Sequence, residues 1–217
     1  MKNIYIFFYF FSLFIVAENY EPFESTYEPL PPTNTIFRNA SIYDGGGNEL
    51  NNTDLIIKDG KVVAMGVDLP SSSDLIEVDA SGKWITPGII DIHSHMGVYP
   101  APSVRTSSDG NEATSPVTAE VWAEHSIWVQ DPQYALALKG GVTTFHVLPG
   151  SANLIGGRGV TAKNLQRNTI NSMKFPNAPH SLKMACGENP KRVYGNKGQS
   201  PSTLSLIHIS EPTRPLD

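Results

Sequence analysis

The amino-acid sequence predicts an α/β protein: a truncated (β/α)8 barrel of the TIM type preceded by a small β-sandwich domain. Three observations carry this expectation. Residues 84–95, W-I-T-P-G-I-I-D-I-H-S-H, form an apolar, β-branched run that ends in two histidines one residue apart, the pattern of a parallel strand covered on both faces. Residues 35–84 break into short strands joined by glycine turns. At 217 residues the chain is shorter than the about 250 residues that a complete barrel alone takes, so the barrel is expected to be incomplete at its C-terminal side.

The elements follow in order. Residues 1–17 have the anatomy of a secretory signal peptide, with Lys2, an apolar run from Ile4 and the small residue Ala17 where cleavage would fall. The run is short for a membrane span. The mature protein is therefore expected to be exported, periplasmic or secreted, with no stable membrane association after cleavage. Residues 18–34, rich in proline, glutamate and tyrosine, read as an extended linker. Within residues 35–84, the N-terminal part of the β-sandwich, Asp44-Gly45-Gly46-Gly47 closes one turn and Asp59-Gly60 a two-residue hairpin between residues 54–58 and 61–65. A structural role is expected for all of them.

Residues 85–203 read as the first part of the barrel. Pro87-Gly88 marks the entry to its first strand. Alternate strand residues point to one side about 6.5–7 Å apart, so His93 and His95 can reach one ion at roughly 2.0–2.1 Å while Ser94 faces away. That places them at the strand's C-terminal end, where such barrels put their chemistry. Asp91 shares their face one step deeper and reads as an orienting or capping group. A long loop follows over residues 96–116, then a helical stretch around Val117, Val121 and Trp128 in which His125 packs or lies on the helix surface. Asp131-Pro132 opens a short helix ending at Gly140-Gly141.

Residues 142–148 read as the second strand, with His146 in a packing role, and residues 153–159 as a glycine-rich loop. Arg158 in that loop is a substrate-binding candidate through a bidentate carboxylate pair, or else a solvated arginine in a tight turn. The third strand candidate, residues 182–186, contains Lys183 and Cys186, the latter assigned to packing, and leads to Glu188. Glu188 is a third metal-ligand candidate, a hydrogen-bond acceptor behind the ligands, or a loop cap. Residues 204–217 resemble the translation of a transposase adapter used in sequencing libraries.

A net charge of −5 without a basic cluster removes the electrostatic footprint of a nucleic-acid binder. The single cysteine allows no intramolecular disulfide. The partners expected are a small-molecule substrate and, in the assembly, further copies of the chain as a homo-oligomer.

The string T-P-G-I-I-D-I-H-S-H resembles the first barrel strand of the amidohydrolase superfamily. I-I-K-D-G-K-V-V-A-M-G and I-E-V-D-A-S-G-K-W-I-T-P-G are similar to the β-domain that leads into that barrel, and G-G-V-T-T-F-H-V-L-P-G-S-A-N-L-I-G-G and L-K-M-A-C-G-E-N-P-K resemble its imidazolonepropionase-like branch. The resemblance spans about residues 35–198. It implies that His93 and His95 bind a divalent metal, zinc first, as one or two ions, and that metal-activated water cleaves a carbon–nitrogen bond of an amide, cyclic amide or dipeptide. It also implies a late-strand aspartate as general base and further histidines beyond Gly198, so that the fragment alone would be inactive. Export turns the expected substrates towards acyl amino acids or dipeptides. The other reading is a catalytically silent barrel of the same kind serving as a binding or assembly module.

Overall fold

The computed structural model describes residues 23–203. The predicted signal peptide, the start of the linker and the adapter-like tail lie outside the described residues. Two sheets, one after the other in sequence, carry an α/β fold with few helices. Among the described residues no helix is long and apolar enough to cross a membrane.

The first sheet holds β1 (Thr35–Tyr43), β2 (Glu49–Lys58), β3 (Lys61–Gly66), β4 (Ile76–Asp79) and β5 (Trp84–Ile85) in the order β3-β2-β1-β4, with β5 also pairing β1. The hairpin at Asp59-Gly60 forms as expected. Both residues take positive φ, 50° and 72°, which matches a tight turn to the twist of its strands. Ala40, Ile42, Leu55 and Ala80 are buried on it. Among the described residues these five strands form one sheet.

The second sheet runs β6 (Ile89–Ser94), β7 (Val142–Val147), β8 (Ile155–Lys163), β9 (Ser181–Met184). β6 and β7 are parallel, joined by the long segment that includes α1 (Gln133–Lys139); β8 is antiparallel to both β7 and β9. The three expected strands form as β6, β7 and β9 and share one direction, but the expected glycine-rich loop is corrected: it is itself a strand, β8, inserted antiparallel between β7 and β9. The physical reason is connection length, because residues 148–154 are too few for the dozen or more that a parallel crossover needs.

The helical stretch expected around Val117, Val121 and Trp128 is also corrected. Val117 and Trp122 instead pair with Ile155 and Arg158 of β8, and the helical geometry in this stretch is confined to a 3-10 turn, Ala123–Ser126. Gly157 makes that pairing possible. A side chain there would have its Cβ 2.5 Å from the Val121 carbonyl oxygen, and the residue sits at φ +116°. The backbone ladder to β8, with Arg158 N–H donating to Val121 O at 2.7 Å, displaces helix formation in a segment already rich in β-branched residues.

The short helix after Pro132 appears as α1 and ends at Gly140, with Gly141 left-handed at φ 89°. Asp131, 1 % exposed, accepts hydrogen bonds from the Gln133 and Gly97 N–H groups at 3.0 and 2.9 Å and so ties the helix start to the chain leaving β6. Tyr134, Phe145, Val147, Val160 and Met173 fill the core beside it. The linker is not a free spacer. Ser25 Oγ donates to Lys174 O at 2.7 Å and Thr26 N–H to Asn171 O at 2.9 Å, while Lys174 Nζ pairs with buried Glu124 at 2.9 Å.

β6 departs from its expected burial on both faces. Ile90 and Ile92, which share one face, are 62 % and 78 % exposed, because among the described residues no layer covers that face; β6 is also an edge strand, hydrogen-bonded to β7 alone.

Candidate metal centre

Strand alternation brings His93 and His95 together at the C-terminal end of β6. Their rings lie 5.2 Å apart, centre to centre, at 75°. The intervening Ser94 is buried and faces away. Asp91 Oδ1 accepts the His93 N–H at 3.1 Å, the orienting role expected of it. The ring nitrogens differ in their partners. His95 Nδ1 lies 2.9 Å from the Leu148 carbonyl oxygen, an acceptor only, so Nδ1 carries the proton and Nε2 carries the lone pair. Metal-binding histidines are held in this way, by a carbonyl behind the ring. Burial pushes the His95 imidazole below its usual pKa, with the Leu148 carbonyl acting in the opposite sense. The ring is therefore neutral at physiological pH, the form that binds a metal.

Two residues that sequence reasoning set aside also reach this site. Lys183 Nζ lies 3.2 Å from His93 Nε2, and burial lowers its pKa. His146 lines the same cleft of about 490 Å³ as His93 and Lys183 rather than only packing the sheet. Its Nε2 meets Ser181 Oγ at 2.6 Å and its Nδ1 meets Thr161 Oγ1 at 2.9 Å. The signal was present in strand alternation, which puts Ser181 and Lys183 on one face of β9, but only the pairing of β7, β8 and β9 shows that this face meets His146.

The remaining candidates fall elsewhere. Glu188 is not at a strand end: it opens α2 (Glu188–Gly195), its side chain 72 % exposed and 3.9 Å from Lys191. The described residues contain no group of three or more His, Cys, Asp or Glu side chains placed to share an ion, so Glu188 does not join the histidine pair. Arg158 sits within β8 with its guanidinium over the Trp122 ring, 4.5 Å from the centroid, and lines neither cleft beside the histidines. Cys186 is half-buried.

No family model matches the chain. Among curated proteins it is 35 % identical over 162 residues to the amidohydrolase tasK of Hapsidospora irregularis, covering 69 % of this chain and 16 % of that protein. It is 35 % identical over 63 residues to a dihydroorotase of Ligilactobacillus salivarius, covering 28 % of this chain and 14 % of that enzyme. Among solved structures, an amidohydrolase from Thermotoga maritima superposes with a TM-score of 0.72 at 38 % identity, over 82 % of this chain and 46 % of that one. The chain belongs to the amidohydrolase superfamily.

This amidohydrolase-superfamily chain thus spans less than half the length of these relatives. Superfamily members are typically dependent on divalent metals. The donor set fits such an ion: two imidazoles on one strand face, one of them fixed from behind, at a strand end next to a cleft.

Proposed function

We propose that these residues form the metal-binding opening of a hydrolase that cleaves a carbon–nitrogen bond of an amide, cyclic amide or dipeptide. The observation that carries the reading is the pinning of His95 by the Leu148 carbonyl beside His93. His93 and His95 would hold the ion, for which the imidazole donors suit zinc; when bound, it supplies a water acidified towards a pKa of about 7 and a polarising charge for the scissile carbonyl. Asp91 fixes the His93 backbone, and Lys183 and His146 line the approach to the pair. The remaining ligands and the general base belong to later strands in this reading, and the imidazolonepropionase-like branch is the part of the superfamily it favours. Export to the periplasm or outside the cell, with no stable membrane association after signal cleavage, is part of the same proposal.

The test is amide hydrolysis by a zinc-loaded protein of full barrel length that carries these residues. Changes behind metal ligands typically cost 10–100-fold, so His93→Ala and His95→Ala should each cost more than about 100-fold. Chelation should silence the wild type reversibly. Wild-type hydrolysis by the double variant would overturn the reading.

A further inference from the structure

On the His95 side of the pair a second cleft, of about 230 Å³, opens between the chain after β6, the loop after β7 and the start of α2. Its polar lining comes from His95, Tyr99, Asn111, Ser151, Asn189 and Arg192, and no carboxylate faces it. The hydrogen bonds within that lining leave a definite set of donors. Asn111 Oδ1 accepts the Ala152 N–H at 2.9 Å, and its Nδ2 donates to the Tyr99 hydroxyl. Asn189 Nδ2 donates to Ser151 Oγ at 2.6 Å. Both hydroxyls therefore act as acceptors towards the amides, and their own protons remain to be given to a guest. Among the described residues the Arg192 guanidinium has no hydrogen-bond or ion-pair partner.

The wall is also built for close contact. A Cβ at Gly150 would fall 2.3 Å from both Tyr99 Oη and Asn111 Nδ2, so glycine at this position lets the backbone press against the pair that presents the Tyr99 hydroxyl. One exposed arginine at the rim, two hydroxyl donors and no opposing anion in the lining are the chemistry that recognises a carboxylate. The volume lies below the roughly 300–1,000 Å³ of sites for drug-sized ligands, which suits a small charged end group rather than a large ring.

We propose that this cleft is the carboxylate subsite, with Arg192 pairing the carboxylate and the Ser151 and Tyr99 hydroxyls donating to it. The substrate class is then an amide that carries a free carboxylate next to the scissile bond, such as an N-acyl amino acid or a dipeptide. The carboxylate-binding role expected of Arg158 moves to Arg192. This inference rests on the carbon–nitrogen hydrolase reading and specifies its substrate.

The test is calorimetric titration of the zinc-free chain, so that no ion supplies the attraction, with N-acetyl-L-alanine and its neutral methylamide. The acid should bind roughly tenfold more tightly than the amide. Arg192→Gln should remove most of that preference and Ser151→Ala a smaller part of it, each variant keeping the far-ultraviolet circular dichroism of the parent. Equal binding of the two probes by the parent chain, or an intact preference in both variants, would overturn the proposal. Zinc binding measured on a separate aliquot of the parent chain separates the two readings: equal binding of the two probes by a parent that still binds zinc sinks the subsite alone.

Discussion

Asp54 shows how much a single side chain does in the first sheet. It is 3 % exposed and accepts hydrogen bonds from Arg38 at 2.7 Å, the Asn39 N–H at 3.0 Å and the Leu69 N–H at 3.1 Å. Burial pushes its carboxyl up, and these hydrogen bonds outweigh burial and hold it below the ordinary carboxylate value. A carboxyl depressed on folding contributes stability above its unfolded pKa of about 3.9 and loses it as pH falls through the lower folded value. Asp54→Asn should therefore destabilise by about 1–3 kcal/mol at pH 7, and the gap from the parent should close below about pH 4. Denaturant titrations at pH 7 and pH 3 check this; an equal gap at both would contradict it. At this scale the sequence was informative where function depends on strand period. His93, His95 and Asp91 were legible because alternation is local. The stacking of Arg158 on Trp122 and the approach of Lys183 to His93, 90 positions away, join separate segments and so lie beyond what strand period shows.

The strand β8 decides how the second sheet is built. Gly159 lies where an added Cβ would fall 2.6 Å from Ser181 Oγ, 2.7 Å from Leu148 Cδ2 and 2.8 Å from His146 Nε2. Gly159→Ala should therefore cost about 1–3 kcal/mol, the range for overpacking, and displace His146 and Ser181 together. Urea unfolding measures the loss, and the histidine ring resonances report the displacement; an unchanged midpoint would refute the packing described. The same strand shows what a single chain hides. Its glycines read as a loop because glycine is a loop residue by local propensity, yet they are there to admit Val121 on one side and His146 on the other. The short helix after Pro132 was legible because its start and stop signals are local.

For the whole molecule, the exposed edge of β6 is the dominant feature. Ile89, Ile90 and Ile92 are 52 %, 62 % and 78 % exposed on a strand with one hydrogen-bonded neighbour, a template for pairing with another chain. The 217-residue chain should self-associate with rising concentration in sedimentation velocity, and Ile90→Lys with Ile92→Lys should suppress it; a strictly monomeric parent would contradict this. The α/β class was legible from the apolar strands, whereas the direction of β8 was not, since it depends on the length of a connection rather than on any residue pattern. The central claim is that β6 delivers two imidazoles to one ion. Zinc K-edge X-ray absorption on the chain loaded with one equivalent of zinc tests it most directly. The account predicts a nitrogen shell at about 2.0–2.1 Å with imidazole scattering from two rings, lost in the His93→Ala, His95→Ala variant. An identical imidazole shell in that double variant would contradict it.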